Sequence, residues 1–307
     1  MNHKPLVLVS SNRKGGCSKT STVFHTAGEF ARRGNRVLLL DCDPQASLSQ
    51  SLKPFGSRAI EQLNPERSVV ALFDDRMDPS PENILYATDI ENIHLVPACD
   101  ALTKFNYPDP TEYGFLQDSL RHFVTEVSGD FDVVLIDTPP NLQMLTWCAL
   151  VAADYCLTPV VPEDYAAQGI VHVKRFIESV QQSRNGDLRW MGLLIAMVQP
   201  RLGIHSVYEQ VMRDAYAGLV LDSNVPLVTI FKECVSNKTP VTLYKPKVAA
   251  SKAIIALVDE IFERSSETHT GLKTEVPQPV KKTASRKPRA KTGTTKKTTT
   301  SSNRKAA

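Results

Sequence analysis

Residues 6–41 constrain the chain most: a strand-like run, a glycine loop, a helix-like stretch and a second strand-like run follow one another. Leu6-Val-Leu-Val-Ser10 is a short continuous apolar segment, the pattern of a buried strand. From Ser21 to Arg33, Val23, Ala27 and Phe30 recur at helix-like spacing, and the stretch stops at Gly34. Arg36-Val-Leu-Leu-Leu-Asp41 is a second buried run. Strand, loop, helix and strand within about 40 residues make a βαβ unit.

The alternation continues. Strands are predicted at Ile93–Pro97, Phe131–Asp137, Tyr155–Val161 and Trp190–Met197. Helices are predicted at Glu112–Val127, Leu142–Ala153, Gln168–Ser183, Val207–Ala217 and Val248–Arg264, with Leu219–Val225 as a connector. Residues 50–92 hold Pro54, Pro65, Pro79 and Pro81 and read as short helices and loops. The expected fold is α/β, a mostly parallel, doubly wound sheet flanked by helices.

Charge divides the chain at its C-terminal end. Residues 264–307 hold 12 Lys or Arg against Glu267 and Glu275, whereas residues 1–263 hold 24 basic and 31 acidic side chains. The whole-chain charge of +3 thus sums a basic tail and an acidic body. The expected division is a domain over residues 1–264 and a Lys/Arg/Thr/Ser-rich tail over 265–307. That tail has Leu272 as its only Leu, Ile, Phe, Met or aromatic residue, so it is expected to be disordered. No run of 18 apolar residues appears, and Met1-Asn-His-Lys-Pro5 leads straight into the first strand, so neither a transmembrane helix nor a signal peptide is expected. The six cysteines form no C-x-x-C pair and read as reduced structural thiols of a cytoplasmic protein.

Lys14-Gly-Gly-Cys-Ser-Lys-Thr-Ser21 carries the chemistry. Gly15 and Gly16 let backbone amides approach phosphate oxygens, and the helix that follows points its positive end at the same anion. Lys19 supplies a charge for the β- and γ-phosphates, and Thr20 a hydroxyl for Mg²⁺. Ser18 stands where a glycine usually precedes the lysine. Cys17 reads as loop filler, with a reactive thiolate as the alternative. Asp137 ends a buried strand, where a carboxylate faces the ligand crevice and can hold the Mg²⁺ shell. Asp41 and Asp43 follow the second strand, and alternation lets both face the site.

Together, Asn12–Thr22, Asp41-Cys-Asp-Pro-Gln45 and Phe131–Pro140 resemble the ParA branch of the ParA/MinD family of deviant Walker A P-loop ATPases. Thr158–Glu163 and Thr239–Pro246 extend the resemblance across residues 5–263. It implies an ATPase using ATP and Mg²⁺. Lys14 matches the lysine that crosses an ATP-sandwiched homodimer, Lys19 the P-loop lysine, Thr20 the Mg²⁺ ligand and Ser21 a phosphate-contacting hydroxyl. Asp43 matches the aspartate that positions the attacking water, and Asp137 the Walker B-type aspartate. The nucleotide contacts thus run through Lys14, Gly15, Gly16, Cys17, Ser18, Lys19, Thr20, Ser21 and Asp137. The catalytic group is Lys14, Lys19 and Asp43, and the metal group Thr20, Asp43 and Asp137.

The same resemblance implies non-specific binding of nucleoid DNA, a ParB-like adaptor that stimulates slow hydrolysis, and partition or positioning of a plasmid, chromosome or other large cargo. Arg201, Arg213, Lys232, Lys238, Lys245 and Lys247 are candidate DNA contacts, and each also reads as a solvated surface charge. Ile230 and Phe231 stand where relatives often place arginine. The tail's lysines and arginines offer counterion-release binding, and its lack of an apolar face argues against membrane attachment. The alternatives are a reductase or small-molecule ligase on the same scaffold, or a non-catalytic ATP-dependent scaffold.

Overall fold

The structure, a computed structural model, describes residues 4–163, 166–199 and 202–277. Eight strands form one sheet: β1 (Leu6–Ser10), β2 (Val37–Asp41), β3 (Tyr86–Ala87), β4 (Ile93–Val96), β5 (Val133–Asp137), β6 (Tyr155–Val160), β7 (Arg189–Val198) and β8 (Val220–Pro226). Their spatial order is β3-β4-β2-β5-β1-β6-β7-β8. Every pairing is parallel except β3 with β4. β1, β2 and β5 are buried at every residue, as strands covered on both faces must be.

The helices are α1 (Lys19–Arg32), α2 (Ser47–Gln50), α3 (Ser57–Glu61), α4 (Pro81–Ile84), α5 (Ser119–Glu126), α6 (Met144–Ala152), α7 (Ala166–Ser183), α8 (Gly203–Ala215), α9 (Thr229–Ser236), α10 (Val241–Tyr244) and α11 (Ala249–Ser265). The doubly wound parallel fold is therefore as expected. α1 packs hard against the turn before α10. A Cβ added at Gly28 would lie 2.2 Å from Pro240 Cβ, so only glycine allows this approach.

Three expectations change. The connector at Leu219–Val225 is strand β8, whose pairing with β7 shifts register twice and so breaks the clean alternation that marks a strand. The helix expected from Glu112 begins at Ser119, preceded by 3₁₀ turns at Pro110–Glu112 and Leu116–Asp118.

The third concerns the tail. Residues 266–274 are bound to the body and do not begin a free segment at Ser265. Thr268 Oγ1 bonds Tyr155 OH at 2.7 Å, and His269 is buried beside Asp154. Leu272 packs on the core, Lys273 N–H donates to Asn35 Oδ1 at 2.8 Å, and Arg33 donates to the Thr274 carbonyl at 2.9 Å. A few specific polar contacts hold a segment that its apolar content alone would not. Residues 278–307, the rest of the expected disordered tail, lie outside the described residues.

Candidate nucleotide site

Parallel register brings three strand ends level. Ser10 pairs with Asp137, and Asp41 pairs with Asp137 from the other side. The loop after β1 therefore rises at the sheet's C-terminal edge between the acidic ends of its neighbours, where open α/β sheets bind ligands. A cleft of about 680 Å³ opens there. It is lined by Gly15 through Ser21, by Asp43, Gln45, Ser47 and Pro140, and by a far wall of Met197, Val225–Val228, Phe231, Lys232, Val235 and Ser236.

The loop is held from within. Asn12 Nδ2 donates to the Pro159 carbonyl at 2.7 Å, while Asn12 Oδ1 accepts the Lys14 N–H at 3.1 Å. Gly16 has φ +69° and Ser18 φ +79°. Glycine adopts such a value freely, but serine there is strained. The substitution noticed in the sequence thus sits at a left-handed position just before α1. Lys19 is nearly buried, and its Nζ donates to the Lys14 carbonyl at 3.1 Å and lies 3.9 Å from Cys17 Sγ. Burial pushes the Cys17 thiol up despite nearby Lys19, so the reactive-thiolate alternative is not supported. All six cysteines are free and buried.

Lys14 points away from the loop. Its Nζ lies 2.6 Å from Glu163 Oε2, and both side chains are half exposed. In the sequence, nothing singles out Glu163 beyond its place at the end of the segment Thr158–Glu163.

The acidic residues separate into two kinds. Asp41 is wholly buried, accepts the Ser49 N–H and hydroxyl at 2.8 and 2.7 Å, and does not line the cleft. Its second oxygen accepts the Asp43 N–H at 3.1 Å, so Asp41 shapes the turn that presents Asp43. Asp43 lines the cleft and accepts the Gln45 N–H at 3.0 Å. Burial pushes Asp41 up to about 7, against its Ser49 hydrogen bonds. Burial, then the neighbouring Asp41, drives Asp137 well above the ordinary carboxylate range.

Asp137 Oδ2 accepts the Thr20 hydroxyl at 2.6 Å, but its Oδ1 is buried with no partner. An unmatched carboxylate oxygen beside a threonine hydroxyl, next to a second buried carboxyl, fits a hard divalent cation such as Mg²⁺. The residues that can hold it, directly or through water, are Thr20, Asp137 and, from the cleft's edge, Asp43.

The far wall was not legible in the sequence. It is built by the end of β7, where Met197 has φ +59°, and by β8 and α9. Ile230 and Phe231 are partly buried against the core, and Phe231 packs on the His25 ring at 4.7 Å between centroids. The candidate DNA-contacting cations are dispersed. Arg213 pairs with Glu209, Lys245 with Glu233, and Lys238 donates to the Leu52 carbonyl at 3.5 Å. Lys232 lines the cleft, Lys247 is exposed, and Arg201 lies outside the described residues.

A family model described as "AAA domain" matches residues 6–190. The chromosome partitioning protein ParA of Myxococcus xanthus is 34% identical over 266 residues, covering 85% of this chain and 89% of that protein. The chain belongs to the ParA/MinD family of P-loop ATPases. The sporulation initiation inhibitor protein Soj of Bacillus subtilis is 31% identical over 260 residues, covering 83% of this chain and 97% of that protein. Cobyrinic acid a,c-diamide synthase of Mycobacterium smegmatis, solved with ADP and magnesium, superimposes with a TM-score of 0.69 at 27% identity, covering 90% of this chain and all of that one. A plasmid partition protein of Borrelia burgdorferi bound to AMPPNP shares the fold at a TM-score of 0.69 and 17% identity, covering 85% of this chain and 100% of that one. As a ParA/MinD-family member, the chain is an ATPase. No helix among the described residues is long and apolar enough to cross a membrane.

Proposed function

We propose that this ATPase binds ATP with Mg²⁺, forms an ATP-dependent homodimer, and uses it to hold non-specific DNA and position a plasmid, chromosome or other large cargo. The observation that carries the reading is one cleft that gathers Gly15–Ser21 and Asp43, with Thr20 on its floor bonded to Asp137, whose Oδ1 has no partner. Phosphoryl transfer needs positioning and charge neutralisation more than covalent chemistry. Lys19 and the loop bind the phosphates, Thr20 and Asp137 hold Mg²⁺, and Asp43 orients the attacking water. Lys14 leaves Glu163 to reach the phosphates of a partner subunit. Losing the γ-phosphate then removes the anion that holds two cationic loops together, which makes hydrolysis the release step.

The chromosome partitioning protein among the relatives supports the cargo role, and the family resemblance adds a ParB-like adaptor as the stimulator. DNA binding draws on the Lys/Arg-rich residues 278–307, because the candidate cations of the body are dispersed and two of the six, Arg213 and Lys245, are already paired with carboxylates. With DNA as the matrix, the protein is cytoplasmic and nucleoid-associated. The test measures DNA affinity at several salt concentrations with no nucleotide, ADP and ATP, for the full chain and one ending at Pro277. The full chain should bind most tightly with ATP, and truncation should weaken binding and reduce its salt slope. Affinity indifferent to nucleotide in both chains would overturn the switch.

The synthase structure favours a second reading, a small-molecule enzyme on the same scaffold. DNA-stimulated ATP hydrolysis supports the first reading and counts against the second.

A further inference from the structure

The sequence alone places Lys232 among candidate DNA contacts, but α9 turns it elsewhere. Phe231, Lys232, Val235 and Ser236 all line the nucleotide cleft. Spacings of one, three and four residues put these side chains on one side of a helix. Glu233 lies outside that sector and pairs with Lys245 at 2.9 Å. The helix cannot roll freely, because Cys234 is fully buried and Phe231 packs against His25. Lys232 is thus an exposed cation on an otherwise uncharged wall facing the phosphate-binding loop. Among the described residues, none pairs with it.

Its height along the cleft follows from its neighbours. Val228, just before α9, belongs to the apolar end of the wall with Met197, Val225 and Leu227. Val235, about two turns further on, also lines the adjoining cleft with Thr20, Ser21 and Ser47. Lys232 sits between these ends. A nucleoside polyphosphate with its phosphates on the loop and its base on the apolar end passes this point with its first two phosphates.

We infer that Lys232 is a nucleotide-contacting cation, which grips the α- and β-phosphates of a nucleoside di- or triphosphate from the wall opposite Lys19. This rests on the nucleotide reading given above. The α- and β-phosphates are common to ADP and ATP, so Lys232 serves both equally. Lys14, by contrast, is assigned to the ATP-specific dimer.

The test titrates the full-length protein with fluorescent ADP and ATP analogues in Mg²⁺, comparing wild type, Lys232→Ala, Lys232→Arg and Lys19→Ala. Lys232→Ala should raise both dissociation constants by the same factor, about three- to tenfold for a charge-assisted contact open to solvent. Lys232→Arg should stay within about twofold of wild type, since it keeps the charge. Unchanged constants for both nucleotides in Lys232→Ala would overturn the assignment. So would a loss confined to DNA affinity at saturating nucleotide, which would make Lys232 a DNA contact. If wild type binds neither analogue and Lys19→Ala changes nothing, the nucleotide reading itself fails.

Discussion

Lys14 Nζ lies 2.6 Å from Glu163 Oε2, so the lysine assigned to a partner's phosphates is held by a carboxylate of its own chain. Both side chains are about half exposed, at 53% and 52%, and such pairs are weak. A polyphosphate outcompetes one carboxylate, so the pair holds Lys14 without locking it. Glu163→Gln should lower the protein concentration needed for ATP-dependent dimers by about two- to threefold. Lys14→Ala should keep nucleotide binding by the monomer and abolish those dimers. Sedimentation velocity with ATP reads both, and unchanged dimers in Lys14→Ala would remove the cross-subunit role.

Asp43→Ala should separate binding from turnover. Asp43 lines the cleft, but its carboxylate bonds the Gln45 N–H and not the phosphate-binding loop, so its removal leaves the loop and Lys19 in place. Hydrolysis should fall by at least about 100-fold, as expected for a group that positions the attacking water. ATP affinity should stay within a few fold, and the ATP-bound, DNA-bound state should persist. Phosphate release and nucleotide titration on the same preparation check this.

Asp41 and Asp137 give a signed pH effect. Burial raises Asp41 from its ordinary value to about 7. Without a cation, the folded state therefore keeps a proton that the unfolded chain releases near pH 4. Folding is then progressively disfavoured as pH rises from about 4 to 7. Wild type should lose stability relative to Asp41→Asn across this range, measured by urea denaturation in chelator. Mg²⁺ with nucleotide should flatten the difference, since a cation beside Asp137 favours ionised carboxylates. Parallel curves in chelator would show that Asp41 is not held protonated.

Ser18 holds φ +79°, a value that costs a non-glycine residue about 1 kcal/mol. Ser18→Gly should raise the melting temperature by about 2–4 °C in the absence of nucleotide. A lower melting temperature would mean that the hydroxyl contributes more than the strain costs.

Where the chain is cut decides what a tail experiment measures. Ending it at Ser265 removes the contacts of Thr268, His269, Leu272 and Lys273 and should cost about 2–4 kcal/mol of stability. Ending it at Pro277 should leave the melting temperature within about 1 °C while weakening DNA binding and reducing its salt slope. The docked segment also carries a pH dependence. Burial pushes Asp154 up, but His269, Lys4 and the Val7 N–H outweigh it and hold Asp154 below its usual range. Its stabilisation is complete above the unfolded value and is lost as pH falls through the folded one. The stability gap between the two truncations should therefore narrow in acid, which denaturation at pH 3 and pH 7 checks.

The phosphate loop, Asp137 and the parallel sheet were legible because each is a local pattern. An apolar run, a glycine pair beside a lysine, and an acid closing a buried strand announce themselves within a few residues. What neighbours in space decide was not legible. Asp41 and Asp43 look equivalent two residues apart, but Ser49 captures Asp41 and leaves Asp43 to the cleft. Lys14 and Glu163 are 149 residues apart in the chain. β8 was hidden by its shifted register, and with it the far wall of the cleft. Lys232 and Lys245 read alike as basic residues until α9 turns one toward the phosphate-binding loop and leaves the other paired with Glu233. The sequence by itself determined the scaffold and the ligand's charge, because backbone periodicity and phosphate chemistry need only nearby residues. Tertiary structure alone decided which of several like-charged side chains face that ligand, because facing is set by packing between distant segments.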